Sequence, residues 1–405
     1  VNTSRGVRHD SMRARNLAVV LGEIRRSGPL TRAALADLTG LTKTTVSKLV
    51  SDLLEAGAVV ETGVVRDGER GRPGVAVALS GHRVATLGLE INVDYLAACV
   101  VDLTRAVRVR RTRPADNRNS RPPTILRELR DLAHRAVAEA EALGLRVTGA
   151  ALAVPGPVEG GLLRNAPHLG WRDVRVTGLV DLLDLPFEVD NEANLAALGE
   201  LWFGSGATDF LYVSGEIGIG AGLVVDGALF RGTNGQAGEL GHVVVMPDGP
   251  GCRCGGRGCL EVYAGQDALL GAVAPLSGRV AALPGAAAGM PAQAASLEGL
   301  AGLLEAGDPA ARAACEEAGR ALGTALTSAV HLLDPGMIVL GGSFGLLFPW
   351  LERPVGDVLS ARLRQMRRTP PRLVASESGA DAAVLGAAGL VIQRVIADPA
   401  GVLGL

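Results

Sequence analysis

The densest chemistry in the chain is Glu239-Leu-Gly-His242, followed by Cys252-Arg-Cys254-Gly-Gly-Arg-Gly-Cys259-Leu-Glu261. One histidine and three cysteines, His242, Cys252, Cys254 and Cys259, are a sufficient ligand set for zinc, soft enough to select it over magnesium. The intervening glycines let a short loop fold back so that the sulfurs converge. Four protein ligands leave no open position, which predicts a structural zinc rather than a catalytic one. Bound zinc would contribute on the order of 10 kcal/mol to ordering the loop. The alternative, buried free thiols, fits such density poorly. Cys99 and Cys315 lie in apolar runs and read as core residues. An odd total of five cysteines fits a reducing, cytoplasmic compartment better than a disulfide framework.

A second group suits nucleic acid. Thr42, Lys43, Thr44, Thr45, Ser47 and Lys48 open a helical pattern, and the chain's only two lysines are among them. Hydroxyls and amines at a helix N-terminus reach phosphates and base edges, as a recognition helix does in the major groove of an operator. Downstream, Arg70-Gly71-Arg72-Pro73 would form a hairpin tip whose Arg70 or Arg72 enters a narrow minor groove. A polar helix face and a solvated hairpin are the bland alternative.

These groups need elements to hold them. Apolar spacing predicts helices over Leu17–Ser27, Arg32–Leu38 (capped by Thr31) and Lys43–Glu55 (capped by Thr42). A strand pair over Ala58–Glu61 and Val75–Leu79 then completes a winged helix-turn-helix. From Val84 the pattern changes. Ala85–Glu90, Ala97–Leu103 and Val107–Arg113 read as an antiparallel meander, Thr124–Leu143 as an amphipathic helix and Val147–Val154 as a buried strand. Strands and helices alternate thereafter: Phe187–Val189, Asn191–Leu201, Phe210–Gly215, Gly222–Val225, Glu316–Leu333 and Met337–Leu340. This is an α/β body with a nucleotide-fold look. Arg113–Pro123 and Leu276–Ser296 read as loops.

Length and charge agree with this division. A chain of 405 residues implies two or three domains. The formal charge of −2 argues at first against a nucleic-acid partner. By segment it does not: residues 1–80 hold 12 Lys and Arg against 8 Asp and Glu, and the rest hold 28 against 34. DNA contact is therefore expected only within residues 1–80. No 18-residue stretch lacks a charge or turn former, so no membrane span or membrane partner is expected. Polar Val1–Asn16 does not read as a signal peptide.

His242 with Cys252-x-Cys254-x4-Cys259 resembles the zinc signature of the ROK family of repressors, open reading frames and sugar kinases. Matching stretches span most of residues 84–400. They are Val154-Pro-Gly-Pro157, Asn165-Ala-Pro-x-Leu-Gly-Trp171, Asp190-Asn-Glu-Ala-Asn194, Gly215-x-x-Gly218-x-Gly220-x-Gly222 and Asp334-Pro-x-x-Ile-Val-Leu-Gly-Gly342. With the winged helix, the chain is similar to the repressor branch, which includes xylose and N-acetylglucosamine regulators. The resemblance implies a two-lobed, actin-like (hexokinase-like ATPase) body with a sugar in its cleft. Its domains would be 1–80 for DNA, 84–200 for the first lobe with a C-terminal helix of about 380–405 packing back, and 201–380 for the second lobe with the zinc loop. Carried over by position, Asn165, Asn191, Glu192, Glu239, His242 and Glu261 would line the sugar.

The family's kinases carry Asp-x-Gly-Gly-Thr on the first strand, where this chain has Glu90-Ile-Asn92-Val-Asp94. Their second phosphate motif reads Glu216-Ile217-Gly218 here, and their catalytic Asp is Glu192. Like-charge repulsion at two points would exclude a triphosphate, so no catalytic residues are expected. The sequence thus predicts a sugar-responsive regulator of carbohydrate-utilisation genes, a repressor acting as a dimer or tetramer on double-stranded DNA. A sugar kinase with a fused DNA-binding domain is the alternative, and a regulator answering to a protein or a phosphosugar is a third.

Overall fold

The computed structural model describes residues 9–65, 74–176, 184–204, 206–273, 292–366 and 369–405. At the N-terminal end α1 (His9–Ser27), α2 (Arg32–Thr39) and α3 (Lys43–Glu55) pack around Leu17, Leu21, Leu35, Val46, Val50 and Leu53, all fully buried. The caps are those the sequence names. Thr31 Oγ1 accepts from the Ala34 amide at 3.2 Å and Thr42 Oγ1 from the Thr45 amide at 3.2 Å. Gly40, in the left-handed region at φ 69°, ends α2 and turns the chain toward α3. Only the length of α1 differs: it begins eight residues before the expected start, where polar residues leave no apolar signal. Strands β1 (Leu30–Thr31), β2 (Val59–Val65) and β3 (Gly74–Leu79) form an antiparallel sheet in the order β1-β3-β2. Arg70 and Arg72, expected at the tip between β2 and β3, lie outside the described residues.

The rest of the chain builds one topology twice. In the first sheet β4 (Val84–Ile91), β5 (Tyr95–Asp102) and β6 (Val107–Pro114) form the expected meander. Strand β7 (Arg146–Val154) adds parallel to β4, and β11 (Phe187–Asn191) parallel to β7. In the second, β12 (Phe210–Gly215), β13 (Ile219–Val225) and β14 (Ala228–Phe230) form the meander. Strands β15 (Met337–Gly342) and β16 (Arg372–Ala375) then add in parallel. Both sheets therefore read meander, then two parallel strands, from the first strand outward. Helix α4 (Pro122–Ala142) covers one face of the first sheet, and the helices Pro309–Leu333 and Phe348–Leu363 pack with the second.

A small sheet absent from the sequence reading is inserted between β7 and β11 of the first sheet: β8 (Val158–Glu159), β9 (Leu162–Ala166) and β10 (Trp171–Arg175). The surface loop expected over Arg113–Pro123 is present but shorter, covering positions 115–121. The expected span begins within β6 and ends within α4, and Asn117 is fully buried, its Nδ2 donating to the carbonyls of Asn92 (2.6 Å) and Tyr95 (3.2 Å). The other residues of the segment are exposed or half-buried, so Asn117 alone is spent on backbone groups rather than solvent. Of the loop expected over Leu276–Ser296, positions 276–291 lie outside the described residues, and a helix Ala292–Glu305 takes the remainder.

Two helices join the parts. Helix α5 (Glu192–Phe203) and the helix Ala382–Ala397 pack on each other, the latter against β4, β5 and β7 of the first sheet and α5 chiefly against β12 and β13 of the second. The segment Gly379–Ala397 is long and apolar enough to cross a membrane, with a mean hydropathy of 1.5, a match the sequence reading did not expect. Here that apolarity is used in packing: Val384, Ala387, Ala388, Val391, Ile392 and Val395 are all buried. The same apolar core takes in Leu17, Leu21 and Val50 of the N-terminal helices and Trp202 of α5. The N-terminal unit is thus continuous with a core that one face of each sheet shares, Cys99 and Val101 from the first and Phe210, Tyr212 and Val339 from the second, while each sheet's other face has a core of its own.

Candidate functional site

The metal-type residues converge. The turn Leu240–His242 presents His242, and bridges Val244 to Cys259 and Gly251 to Arg257 fold the cysteine loop back onto it. Gly258 sits at φ 67°, where a Cβ would strike the Met246 carbonyl, so the return is open only to glycine. One ligand atom from each of His242, Cys252, Cys254 and Cys259 lies within 4.8 Å of the others. His242 Nδ1 is 3.8 Å from Cys252 Sγ, and Cys254 Sγ is 3.7 Å from Cys259 Sγ. Sulfurs bound tetrahedrally at about 2.3 Å stand roughly 3.7 Å apart, so the donor set suits a four-coordinate ion.

His242 turns its other nitrogen, Nε2, toward Glu239 Oε2 at 3.9 Å, and beyond it lies a cleft of about 190 Å³. All six residues expected at a sugar, Asn165, Asn191, Glu192, Glu239, His242 and Glu261, line this one cleft. Asn165 lies on β9, the strand missed from sequence. Asn191 caps α5: its Oδ1 accepts from the amides of Ala193 (2.9 Å) and Asn194 (3.3 Å), leaving Nδ2 as its group for a ligand. Glu261 Oε2 accepts from the Ile219 amide at 3.2 Å. Burial raises the Glu239 carboxyl above its ordinary value, opposed by His242. The wall also includes His168 and Arg253, which the sequence reading missed. Their signal was visible, since both sit inside quoted motifs as the variable residue between fixed ones.

Behind Glu192 lies a much smaller chamber of about 10 Å³, lined by Glu90, Glu192, Tyr212, Ser214 and Glu216. It gathers the departures from the kinase phosphate motifs. Glu90 is only 2 % exposed; its Oε1 accepts from Tyr95 Oη at 2.8 Å and its Oε2 has no partner. Burial pushes Glu90 up to about 8, with the Glu216 charge adding to it and the Tyr95 hydrogen bond opposing it. Burial likewise pushes Glu216 up to about 7, and Glu192 well above the carboxylate range with help from Glu216 and Glu90. The repulsion argued from charge alone is therefore reduced, because these acids are partly protonated near neutral pH. Their side-chain volume remains, standing where glycines would let backbone amides approach a phosphate.

At the other end of the molecule Thr42, Lys43, Thr44, Ser47 and Lys48 are exposed and Thr45 is half-buried beneath the Thr42 cap. Met12, Arg13 and Asn16 of α1 border a groove with Thr44, Thr45 and Lys48, so this face is wider than the helix expected from sequence. Helix α5 links the two ends. It starts at the cleft with Glu192 and about 15 Å further along carries Trp202, over which Arg25 of α1 stacks at 3.7 Å.

Comparison with known proteins agrees with both halves. Residues 18–70 match the MarR family and residues 86–394 the ROK family. The xylose repressor of Caldicellulosiruptor bescii is 30% identical over 402 residues, covering 96% of this chain and 98% of its own. A crystal structure described as a ROK family transcriptional regulator, homologous to the Escherichia coli MLC protein, superposes with a TM-score of 0.74 at 26% identity. That match covers 97% of this chain and 98% of the other. The ROK glucokinase of Streptomyces griseus, solved with glucose and AMPPNP, has a TM-score of 0.64 at 28% identity. It covers 76% of this chain and 98% of its own. A helix-turn-helix in one core with a twice-built α/β body, and a loop of one histidine and three cysteines at the cleft, accompany these likenesses: the chain belongs to the ROK family, among members with a MarR-like N-terminal segment.

Proposed function

We propose that this protein is a sugar-responsive transcriptional repressor of carbohydrate-utilisation genes, acting in the cytoplasm as a homo-oligomer on a double-stranded operator. The observation that carries the reading is the pairing of a polar, solvent-facing α3 with a cleft whose wall includes three carboxylates, three asparagines, two histidines and an arginine. A pyranose presents hydroxyls in many directions and needs such convergent partners, since unpaired buried polar groups cost free energy. Thr42, Lys43, Thr44, Thr45, Ser47 and Lys48 would read the operator, with Arg70 and Arg72 at the wing. Asn165, Asn191, Glu192, Glu239, His242 and Glu261 would hold the sugar.

The His242, Cys252, Cys254 and Cys259 cluster would hold a structural zinc. His242 would then ligate through Nδ1 and offer Nε2 to the cleft, so that order in the loop and occupancy of the cleft support each other. Kinase activity is lost in this reading. Glu90 and Glu216 fill the phosphate positions, and burial favours the protonated form of Glu192, which cannot accept a proton. A relative described as a xylose repressor and a structure described as a transcriptional regulator match almost the whole chain, whereas the glucokinase matches only its body, which supports the same conclusion. The test is a thermal-shift screen of the full chain against mono- and disaccharides, with a parallel phosphorylation assay containing ATP and magnesium. A sugar that raises the melting temperature without being phosphorylated is expected. Turnover of any sugar at an enzyme-like rate would return the chain to the kinases.

A further inference from the structure

A second cavity adjoins the cleft. It has a volume of about 260 Å³, and its own walls include Ile217, Gly251, Val262, Asp267 and Ala268. His168, Arg253 and Glu261 line both cavities, so these three side chains form the wall that the two spaces share. The inner cleft, at about 190 Å³, is lined by the six residues placed around a sugar.

The junction has a defined polarity. Arg253 Nη1 lies 3.1 Å from His168 Nδ1, and a guanidinium can only donate, so His168 Nδ1 must be the lone-pair nitrogen. The proton then sits on Nε2, which is left as a donor. Burial holds this imidazole below its ordinary value, favouring the neutral form. Gly218 opposes it. A Cβ there would stand 2.5 Å from Glu261 Oε2 and 3.6 Å from His168 Nε2, so its absence keeps space open between the two. Arg253 Nη2 also donates to Asp267 Oδ2 at 3.1 Å, which places the guanidinium at the outer cavity's rim.

We propose that the outer cavity is a second saccharide subsite, and that the effector is a disaccharide or longer glycoside rather than a free monosaccharide. Its linking oxygen, which has lone pairs and no hydrogen, passes between Gly218 and His168 and accepts from Nε2–H. Ile217, Val262 and Ala268 offer apolar surface to the C–H face of the second ring, while Asp267 and Arg253 meet its hydroxyls. This rests on the reading of the inner cleft as a carbohydrate site.

Calorimetry on the full chain tests it, with glucose against maltose and cellobiose, xylose against xylobiose, and N-acetylglucosamine against chitobiose. At least one disaccharide is expected to bind tenfold or more tightly than its monosaccharide. Ala268→Trp, which fills only the outer cavity, should remove that advantage and leave the monosaccharide isotherm unchanged. His168→Ala should cut disaccharide affinity by about tenfold. Monosaccharides binding as tightly as every disaccharide built on them would overturn the subsite alone. An advantage surviving Ala268→Trp would also overturn it. No heat with any saccharide would overturn the carbohydrate reading as well.

Discussion

Replacing Lys43 and Lys48 together with alanine isolates the electrostatic part of operator binding. Both side chains are exposed at the start of α3, and neither forms an ion pair among the described residues. The helix is held from its other face by Val46, Leu49, Val50 and Leu53, so the substitutions should leave stability within about 0.5 kcal/mol. Each phosphate neutralised contributes about −0.9 to the slope of log K against log salt concentration. Two lysines per protomer, four in a dimer, therefore account for a slope of about −3.6. Between 50 and 200 mM salt, that share corresponds to roughly a 150-fold change in affinity. Fluorescence anisotropy with a labelled operator at four or five salt concentrations measures it. The variant should bind more weakly at low salt and show a slope flatter by about 3 to 4. Weaker binding with the slope unchanged would mean that the lysines act through structure, and an identical isotherm would mean that α3 does not face DNA.

Other consequences are more local. Thr42→Ala removes the cap on the Thr45 amide and should cost about 1 kcal/mol in chemical denaturation, with operator affinity reduced alongside. Cys259→Ser should abolish stoichiometric zinc in elemental analysis of the purified protein and lower its melting temperature; undiminished zinc would displace the metal from this loop. The buried acids set a pH dependence. Glu90, at about 8 folded and near its ordinary value unfolded, binds more protons in the native state between about pH 5 and 8. Stability must then fall as pH rises through that window, by up to about 1.4 kcal/mol per pH unit for each such proton. Glu90→Gln should flatten the fall in urea titrations at pH 5, 6.5 and 8, and an equally steep fall in the variant would remove Glu90 from the cause.

Much of this was legible in the sequence because the signals were local. Thr31, Gly40 and Thr42 punctuate the N-terminal helices through caps that depend on two or three neighbouring residues. Strands β4, β7, β12 and β15 are nearly continuous apolar runs, as central strands covered on both faces must be. The convergence of His242 with Cys252, Cys254 and Cys259 was legible because a histidine, three cysteines and three glycines fall within a short span. What was missed is tertiary. Strands β8 to β10 are short, and exposed or half-buried positions interrupt their apolar pattern, so no periodicity marks them. Asn117 looks like a loop residue until the carbonyls of Asn92 and Tyr95 are brought around it. His168 and Arg253 lie 85 residues apart and acquire a role only when the cysteine loop folds over the cleft. The ionisation of Glu90, Glu192 and Glu216 is of the same kind, because residue type supplies the charge and packing decides whether it is carried.

The central claim is that one chain couples a sugar to an operator, through a cleft at the start of α5 and a DNA-facing unit packed at its end. The direct measurement is operator affinity by anisotropy, at fixed salt, with and without a saturating concentration of whichever saccharide gives calorimetric heat. The account predicts a change of about tenfold or more, which is about 1.4 kcal/mol of coupling between the two sites. Superimposable operator isotherms, recorded with the saccharide demonstrably bound, would contradict it.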